Sequence, residues 1–290
     1  MEAQDTKLCI YGYRFTVLGS RKEYMFMITL PLARMTPKVA FLKSNPYFFG
    51  LDADKLEILG RLITERSVEK SEIVCLTGEP ANVLYFVVSG VIKLFSTSFE
   101  GKEQILNLVR PGQSFDDIAV FDGGVHPAST QAITESVLYG IERNDLENLM
   151  NDCLQFAWNV TRVIASGARR YISLAEDLSF KHVDGRLATI LLEYGVDTAS
   201  SCLPQLTQRD IAAMAGTVRE VIGKTLRDFT HKGIISLDGR RIAITDVETL
   251  RDVATPRARE SYEVLLWSQK IGVSNLSSRT ASKAVIGEPV

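Results

Sequence analysis

"LTQRDIAAMAGTVREVIGKTLRDFTHKGIISLDGRRIAIT", residues 206–245, decides the architecture. Thr207, followed three residues later by Asp210, resembles a capped helix start, and Ile211, Met214 and Ala215 give that helix an apolar face. Gly216 is the turn. Thr217 with Glu220 predicts a capping box opening a second helix, along which Val218, Ile222, Leu226 and Phe229 keep the 3-to-4 spacing of a buried stripe. Two short helices joined by a glycine turn form a helix-turn-helix. "GIISLDGRRIAIT" then predicts two β-runs around an Asp-Gly turn, the hairpin called a wing.

The second helix leaves Arg219, Glu220, Gly223, Lys224 and Arg227 on its non-core side. Arginine can bridge guanine O6 and N7, glutamate can accept from cytosine N4, and a glycine lets the helix approach the phosphates. Thr207, Gln208 and Thr217 complete the expected DNA-binding set. From Thr207 to Arg241 there are seven Lys/Arg against four acids, a local balance of +3 in a chain whose net charge is −2. A DNA reader needs only such a local basic face.

Upstream, "DGRLATILLEYGV" (184–196) reads as an amphipathic helix and "DTASSCLPQ" (197–205) as a polar connector. Before them, no proline occurs between Pro127 and Pro204, which permits a long helix over 145–180. Cys153, Ala157, Val160, Ile164, Gly167, Tyr171, Leu174 and Leu178 follow heptad spacing, so this stripe is the expected dimer seam.

Further upstream the period shortens. "SEIVCLTGE", "NVLYFVVSG", "VIKLFSTSFEGKEQILNLV" and "STQAITESVLYGIER" are short β-runs between residues 71 and 143, punctuated by glycines, and imply a β-sandwich or barrel. Residues 39–68 read as short helices. Residues 1–34 show no clear period and read as an extension or a miscalled start; residues 254–290 read as a largely disordered tail with a short helical fragment. The expected division is thus 35–144 β-rich unit, 145–180 dimerisation helix and 181–253 DNA-binding unit, an α+β architecture.

Composition narrows the class further. Apolar residues make up 46% and charged residues 23%, and no run approaches the ~20 apolar residues of a membrane-spanning helix. Cys9, Cys75, Cys153 and Cys202 lie far apart with no CxxC pair, which argues for a reduced, cytoplasmic protein and against an iron–sulfur cluster. Cys75 reads as a small core residue. A cupin-like metalloenzyme would need two or three barrel histidines, and only His126 lies in the β-region, so no metal site and no catalytic set are read from the sequence.

Taken in order, "GEPANVLYFVVSGVIKL", "GKEQILNLVRPGQSF", the long helix, "DGRLATILL" and the helix-turn-helix resemble the CRP/FNR family of bacterial transcription regulators, from about Phe41 to Val253. The resemblance implies an N-terminal antiparallel β-roll sensor, a dimerisation helix and a C-terminal winged helix-turn-helix. It also implies a homodimer that binds an inverted repeat near promoters, with RNA polymerase as a partner. The family's recognition helix carries an Arg-Glu pair followed four residues later by Arg. Arg219 and Glu220 match the pair, while Lys224 keeps the charge and loses the bidentate fork, so a half-site related to TGTGA is implied with altered readout at one base pair.

The same resemblance places the effector pocket at "FDDIAVFDGGVHPASTQAI", residues 115–133. Cyclic-AMP binders of the family carry Gly-Glu-Leu and then Arg-Ser-Ala; the corresponding residues here are Asp116-Asp117-Ile118, after Phe115, and Pro127-Ala128-Ser129. Pro127 supplies neither guanidinium nor N–H, Ala128 lacks a hydroxyl, and Asp116 adds negative charge where a phosphate would sit. Cyclic AMP is therefore not expected to bind in the family's usual way. His126 is a candidate haem ligand, weighed against a solvated loop histidine. A ligand-binding module that does not bind DNA is the alternative function.

Overall fold

The computed structural model describes residues 9–10, 13–14, 36–194, 206–239 and 241–255. The rest of the extension, the connector at 195–205, Arg240 and the tail beyond 255 lie outside the described residues. In the extension, β1 (Cys9–Ile10) and β2 (Tyr13–Arg14) pair antiparallel.

Two four-stranded antiparallel sheets form the β-roll. One has the order β3 (Thr64–Val68), β10 (Ser136–Glu142), β5 (Val83–Ser89), β8 (Ser114–Phe115). The other runs β4 (Ile73–Cys75), β9 (Ser129–Ala132), β6 (Ile92–Thr97), β7 (Glu103–Val109). The period-2 pattern of β5 explains the layering. Leu84 and Phe86 face a cluster with Phe41, Tyr47, Phe48 and Phe156, whereas Val87 faces a second cluster between the sheets with Ile92, Val109 and Leu138. Both faces are covered, so the strand reads as a continuous apolar run. Gly90 links β5 to β6 at φ +86°; a Cβ there would lie 2.1 Å from Ser136 Oγ and 2.5 Å from the Glu135 carbonyl oxygen, so only glycine fits.

Helices α1 (Pro37–Ser44) and α2 (Ala53–Leu62) cover the first sheet together with the start of the long helix. Short α3 (Asp117–Asp122) follows β8. The expected helix over 145–180 is in fact two: α4 (Arg143–Asp152) and α5 (Leu154–Phe180), separated where Cys153 turns to extended backbone at φ −143°, ψ 93°. Cys153 is buried against its own core and stands before the helix, not along it.

The C-terminal unit comprises α6 (Val183–Tyr194), α7 (Gln208–Ala215), α8 (Arg219–His231), the hairpin β11 (Ile235–Asp238) and β12 (Arg241–Ile244), and α9 (Val247–Ala254). Helix α9 is the element the sequence reading did not separate; it packs on α6, where a Cβ at Gly185 would come within 3.2 Å of the Val253 carbonyl. This unit shares one apolar cluster with the outer face of the second sheet: Phe95, Ile105 and Leu108 meet Leu187, Ile211, Met214 and Phe229.

Candidate functional sites

The DNA-reading face is built on caps and burial. Thr207 and Asp210 form a reciprocal capping box at α7: the Thr207 backbone N–H donates to Asp210 Oδ2 at 2.9 Å, and the Asp210 N–H to Thr207 Oγ1 at 3.2 Å. Gly216 ends α7 in the left-handed region at φ +64°, where a Cβ would meet Leu178 Cδ2 at 2.8 Å. The expected capping box at Thr217 and Glu220 does not form. Helix α8 starts at Arg219 with Val218 as its uncapped N-cap residue, and the Thr217 N–H donates back to Ala212 O at 3.0 Å in the turn that ends α7. Val218 is correspondingly exposed, and the buried stripe of α8 is Ile222, Leu226 and Phe229.

Arg219, Glu220, Lys224 and Arg227 are all exposed, and among the described residues none of them is held in an ion pair. Their heads are therefore free for an external partner. Gln208 Oε1 comes within 3.7 Å of where a Cβ on Gly223 would stand, which sets the start of α7 beside the middle of α8. The wing is the expected hairpin, with Asp238 opposite Arg241 and Gly239 at φ +58°.

Contacts from the β-roll reach this unit. Gln104 Nε2 donates to Met214 O at 3.2 Å, Lys102 Nζ to Gly216 O at 3.4 Å, and Arg110 stacks 4.5 Å over the Tyr194 ring. The helix-turn-helix thus rests directly on β7 and the loops flanking it.

The expected dimer seam faces inward. Cys153 and Val160 belong to the β-roll cluster, with Ile164 packed against it; Tyr171 lines a cavity against the β-roll; Leu174 and Leu178 line a smaller one against the C-terminal unit. Ala157 and Gly167 are half-buried on the same side. One residue further on, Leu154, Trp158, Thr161, Ala165, Ala168, Ile172, Ala175 and Ser179 again follow heptad spacing, and all are exposed. Two parallel stripes one residue apart obey the heptad spacing: the expected seam is the one packed toward the protein's own core, while the next is exposed, its Ala168 and Ile172 also lining the larger cavity.

The sensor cavity, about 930 Å³, opens between the β-roll and α5. Its wall includes Phe115, Asp116, Asp117, Ile118 and Pro127, and its cations, Arg162 and Arg170, come from α5. Ala128 is buried and Ser129 half-buried; Ser129 Oγ accepts from the Thr77 N–H at 3.1 Å. The Asp117 carboxylate is already engaged by Tyr47, whose hydroxyl donates to Oδ1. Burial pushes both the Tyr47 phenol and the Asp117 carboxyl up, and each carries the imprint of nearby negative charge, Asp117 on Tyr47 and Asp116 on Asp117. Tyr47 is in turn fixed from α5: Asn159 Nδ2 donates to Tyr47 O at 3.0 Å and to Phe49 O at 2.8 Å.

Behind that wall lies a group the sequence reading missed. His126 is not a solvated loop residue but is 6% exposed, with Nδ1 3.0 Å from Asp116 Oδ1. Asp116, 7% exposed, has the left-handed backbone of φ +69° and accepts from the Cys75 thiol through Oδ2 at 3.2 Å. Burial and then the Asp116 carboxylate push the Cys75 thiol up, and the same carboxylate holds the His126 imidazole above its usual range. Three residues separated by tens of positions meet only because β4, the β8–α3 junction and the loop before β9 converge, so no local spacing signalled them.

An antiparallel β-roll joined to a winged helix-turn-helix is the architecture of a DNA-binding transcription regulator. Residues 65–153 match the cyclic nucleotide-binding domain family and residues 185–253 the Crp-like helix-turn-helix domain family. The chain is 30% identical over 209 residues to the CRP-like cAMP-activated global transcriptional regulator of Mycobacterium tuberculosis, covering 70% of this chain and 93% of that one. It is 26% identical to the cyclic AMP receptor protein of Thermus thermophilus, over 73% of this chain and 98% of the relative. FixK2 from Bradyrhizobium japonicum superposes with a TM-score of 0.61 at 25% identity, over 67% of this chain and 98% of that one. The chain belongs to the CRP/FNR family of transcription regulators. Among the described residues no helix is long and apolar enough to cross a membrane.

Proposed function

We propose that the protein is a homodimeric transcription regulator that binds an inverted repeat through Arg219, Glu220, Lys224 and Arg227 and contacts RNA polymerase at promoters. The observation that carries this reading is the exposed, unpaired charged face of α8, seated by the capped α7 and the Gly216 turn. The outward stripe of α5, with Leu154 73%, Trp158 55% and Ile172 60% exposed, is the surface on which a second copy pairs. Pairing there would set two recognition helices for successive major grooves about 34 Å apart.

The effector occupies the cavity between the β-roll and α5, and cyclic AMP does not bind it in the usual mode. Pro127 offers the phosphate no donor, the Asp116 carboxylate behind the wall adds negative charge close by, and the Tyr47 hydroxyl already engages Asp117. Mobility shifts with promoter fragments carrying a TGTGA-related inverted repeat test the DNA reading. Sequence-selective retardation is expected; equal retardation of unrelated duplexes would overturn the inverted-repeat reading, and no retardation of any duplex would leave only the ligand-binding alternative. Calorimetry with cyclic AMP tests the effector reading, with no micromolar binding as the expected outcome.

A further inference from the structure

We propose that the β-roll carries a binding site for one thiophilic divalent cation of the zinc class, held by Cys75 Sγ, an Asp116 carboxylate oxygen and His126 Nδ1. The three candidate ligand atoms lie within 4.8 Å of one another, and all three residues are buried. A tetrahedral ion with bonds of about 2.0–2.3 Å needs ligand atoms roughly 3.3–3.7 Å apart. The separations of 3.2 Å (Cys75 Sγ to Asp116 Oδ2) and 3.0 Å (Asp116 Oδ1 to His126 Nδ1) are a little shorter than this, and Cys75 and His126 offer ligand atoms within 4.8 Å of each other. Thiolate, imidazole and carboxylate together suit zinc and its neighbours better than magnesium or calcium, which prefer oxygen alone.

A second observation is the unsatisfied state of the cluster. Asp116 Oδ1 and His126 Nδ1 are both buried and face each other at 3.0 Å without hydrogen-bond alignment, and among the described residues neither atom has another partner. Buried polar atoms are nearly always bonded, and each exception calls for a cause. A cation between them would satisfy both at once. Asp116 also bears left-handed backbone without being glycine, a conformation costing on the order of 1 kcal/mol that occurs at ligand clamps. This conformation brings its carboxylate to Cys75 and His126 and not to the α3 N-terminus, where Asp116 makes no side-chain cap.

The frame around the ligands is fixed. The Cys75 N–H donates to Thr130 Oγ1 at 3.1 Å, the His126 N–H to Glu79 O at 2.9 Å, and the Gly78 N–H to His126 O at 2.9 Å. On binding, the Cys75 thiol loses its proton to solvent and the sulfur becomes a thiolate ligand; an imidazolium at His126 likewise releases its second proton. No electron changes hands. Three protein ligands leave one tetrahedral position for water or an added ligand, and Asp116 is also a wall residue of the 930 Å³ cavity.

Cobalt(II) titration of chelator-treated, full-length protein tests the site without reference to DNA binding. One equivalent of cobalt is expected to give tetrahedral visible bands and a thiolate charge-transfer band in the near ultraviolet. Cys75→Ser removes the charge-transfer band, and Asp116→Asn and His126→Gln each weaken binding more than the ~10–100-fold typical of losing an outer-shell partner. Cys153→Ser leaves the spectrum unchanged. Absence of the charge-transfer band in the wild-type protein, or its survival in Cys75→Ser, overturns the proposal. Where Cys75→Ser fails to fold, judged by circular dichroism, His126→Gln decides: affinity equal to wild type overturns the site.

Discussion

In the DNA-binding unit the expected contact residues come from one run, Thr207 to Arg227, and all but the half-buried Thr217 are exposed on two short helices and their turn, of which α7 carries the side-chain cap. In the sensor, Tyr47, Cys75, Asp116, Asp117 and His126 come from four separate segments and are brought together only by the closing of two sheets and the docking of α5. The first arrangement keeps its charges solvated, at little folding cost and ready for a partner. The second buries charge among apolar side chains, so each group there must find a partner within the protein. The two regions also differ in what they tolerate: substitutions on the α8 face should change affinity and leave stability alone, while substitutions in the sensor should cost stability first.

The sharpest break in that contrast is expected at Gly90. Gly90→Ala places a methyl group within 2.1 Å of Ser136 Oγ at φ +86°, and should destabilise the β-roll by about 3 kcal/mol or more, read as a lower melting temperature. Next, Trp158→Glu on the outward stripe of α5 should raise the dimer dissociation constant about 10–100-fold by sedimentation, since an exposed tryptophan on an apolar helix face is a typical interface anchor. Val160→Glu, on the inner stripe, should instead unfold the sensor. Tyr47→Phe removes the donor to Asp117 and should cost about 1–2 kcal/mol in denaturant unfolding.

The smallest effect concerns Asp246, whose exposed carboxylate caps α9 through the Thr249 N–H at 3.0 Å and is held below its usual pKa, first by the Thr249 hydroxyl. A depressed folded pKa contributes stability above the unfolded value of about 3.9 that is lost as pH falls through the folded value. Asp246→Ala should therefore lower the melting temperature slightly at neutral pH and make no difference in strong acid.

The contrast also explains what could be read from the residues alone. The helix-turn-helix was legible because caps, turn and apolar stripe are local, and the difference there was local too: α8 starts at Arg219, two residues after Thr217, so the expected box with Glu220 does not form. The β-roll was legible as a class through its short β-runs, but not its pairing order, since β3, β10 and β5 join residues far apart. The long helix was visible as a period, yet two adjacent stripes obey it equally, and which one meets the core depends on Tyr47, Phe48 and Phe86 packing beneath Phe156 and Val160. The Cys75, Asp116 and His126 cluster had no local signal, because its geometry exists only after both sheets close.

On the proposed function, α8 reads base edges from a face that holds no ion pair among the described residues. Fluorescence anisotropy with wild-type protein and Arg219→Ala, at matched salt, on an inverted-repeat duplex and on a scrambled one, tests it most directly. A roughly 10–100-fold loss is expected on the inverted repeat, with a far smaller loss on the scrambled duplex and an unchanged melting temperature. Equal affinity of the two proteins for the inverted repeat would contradict it.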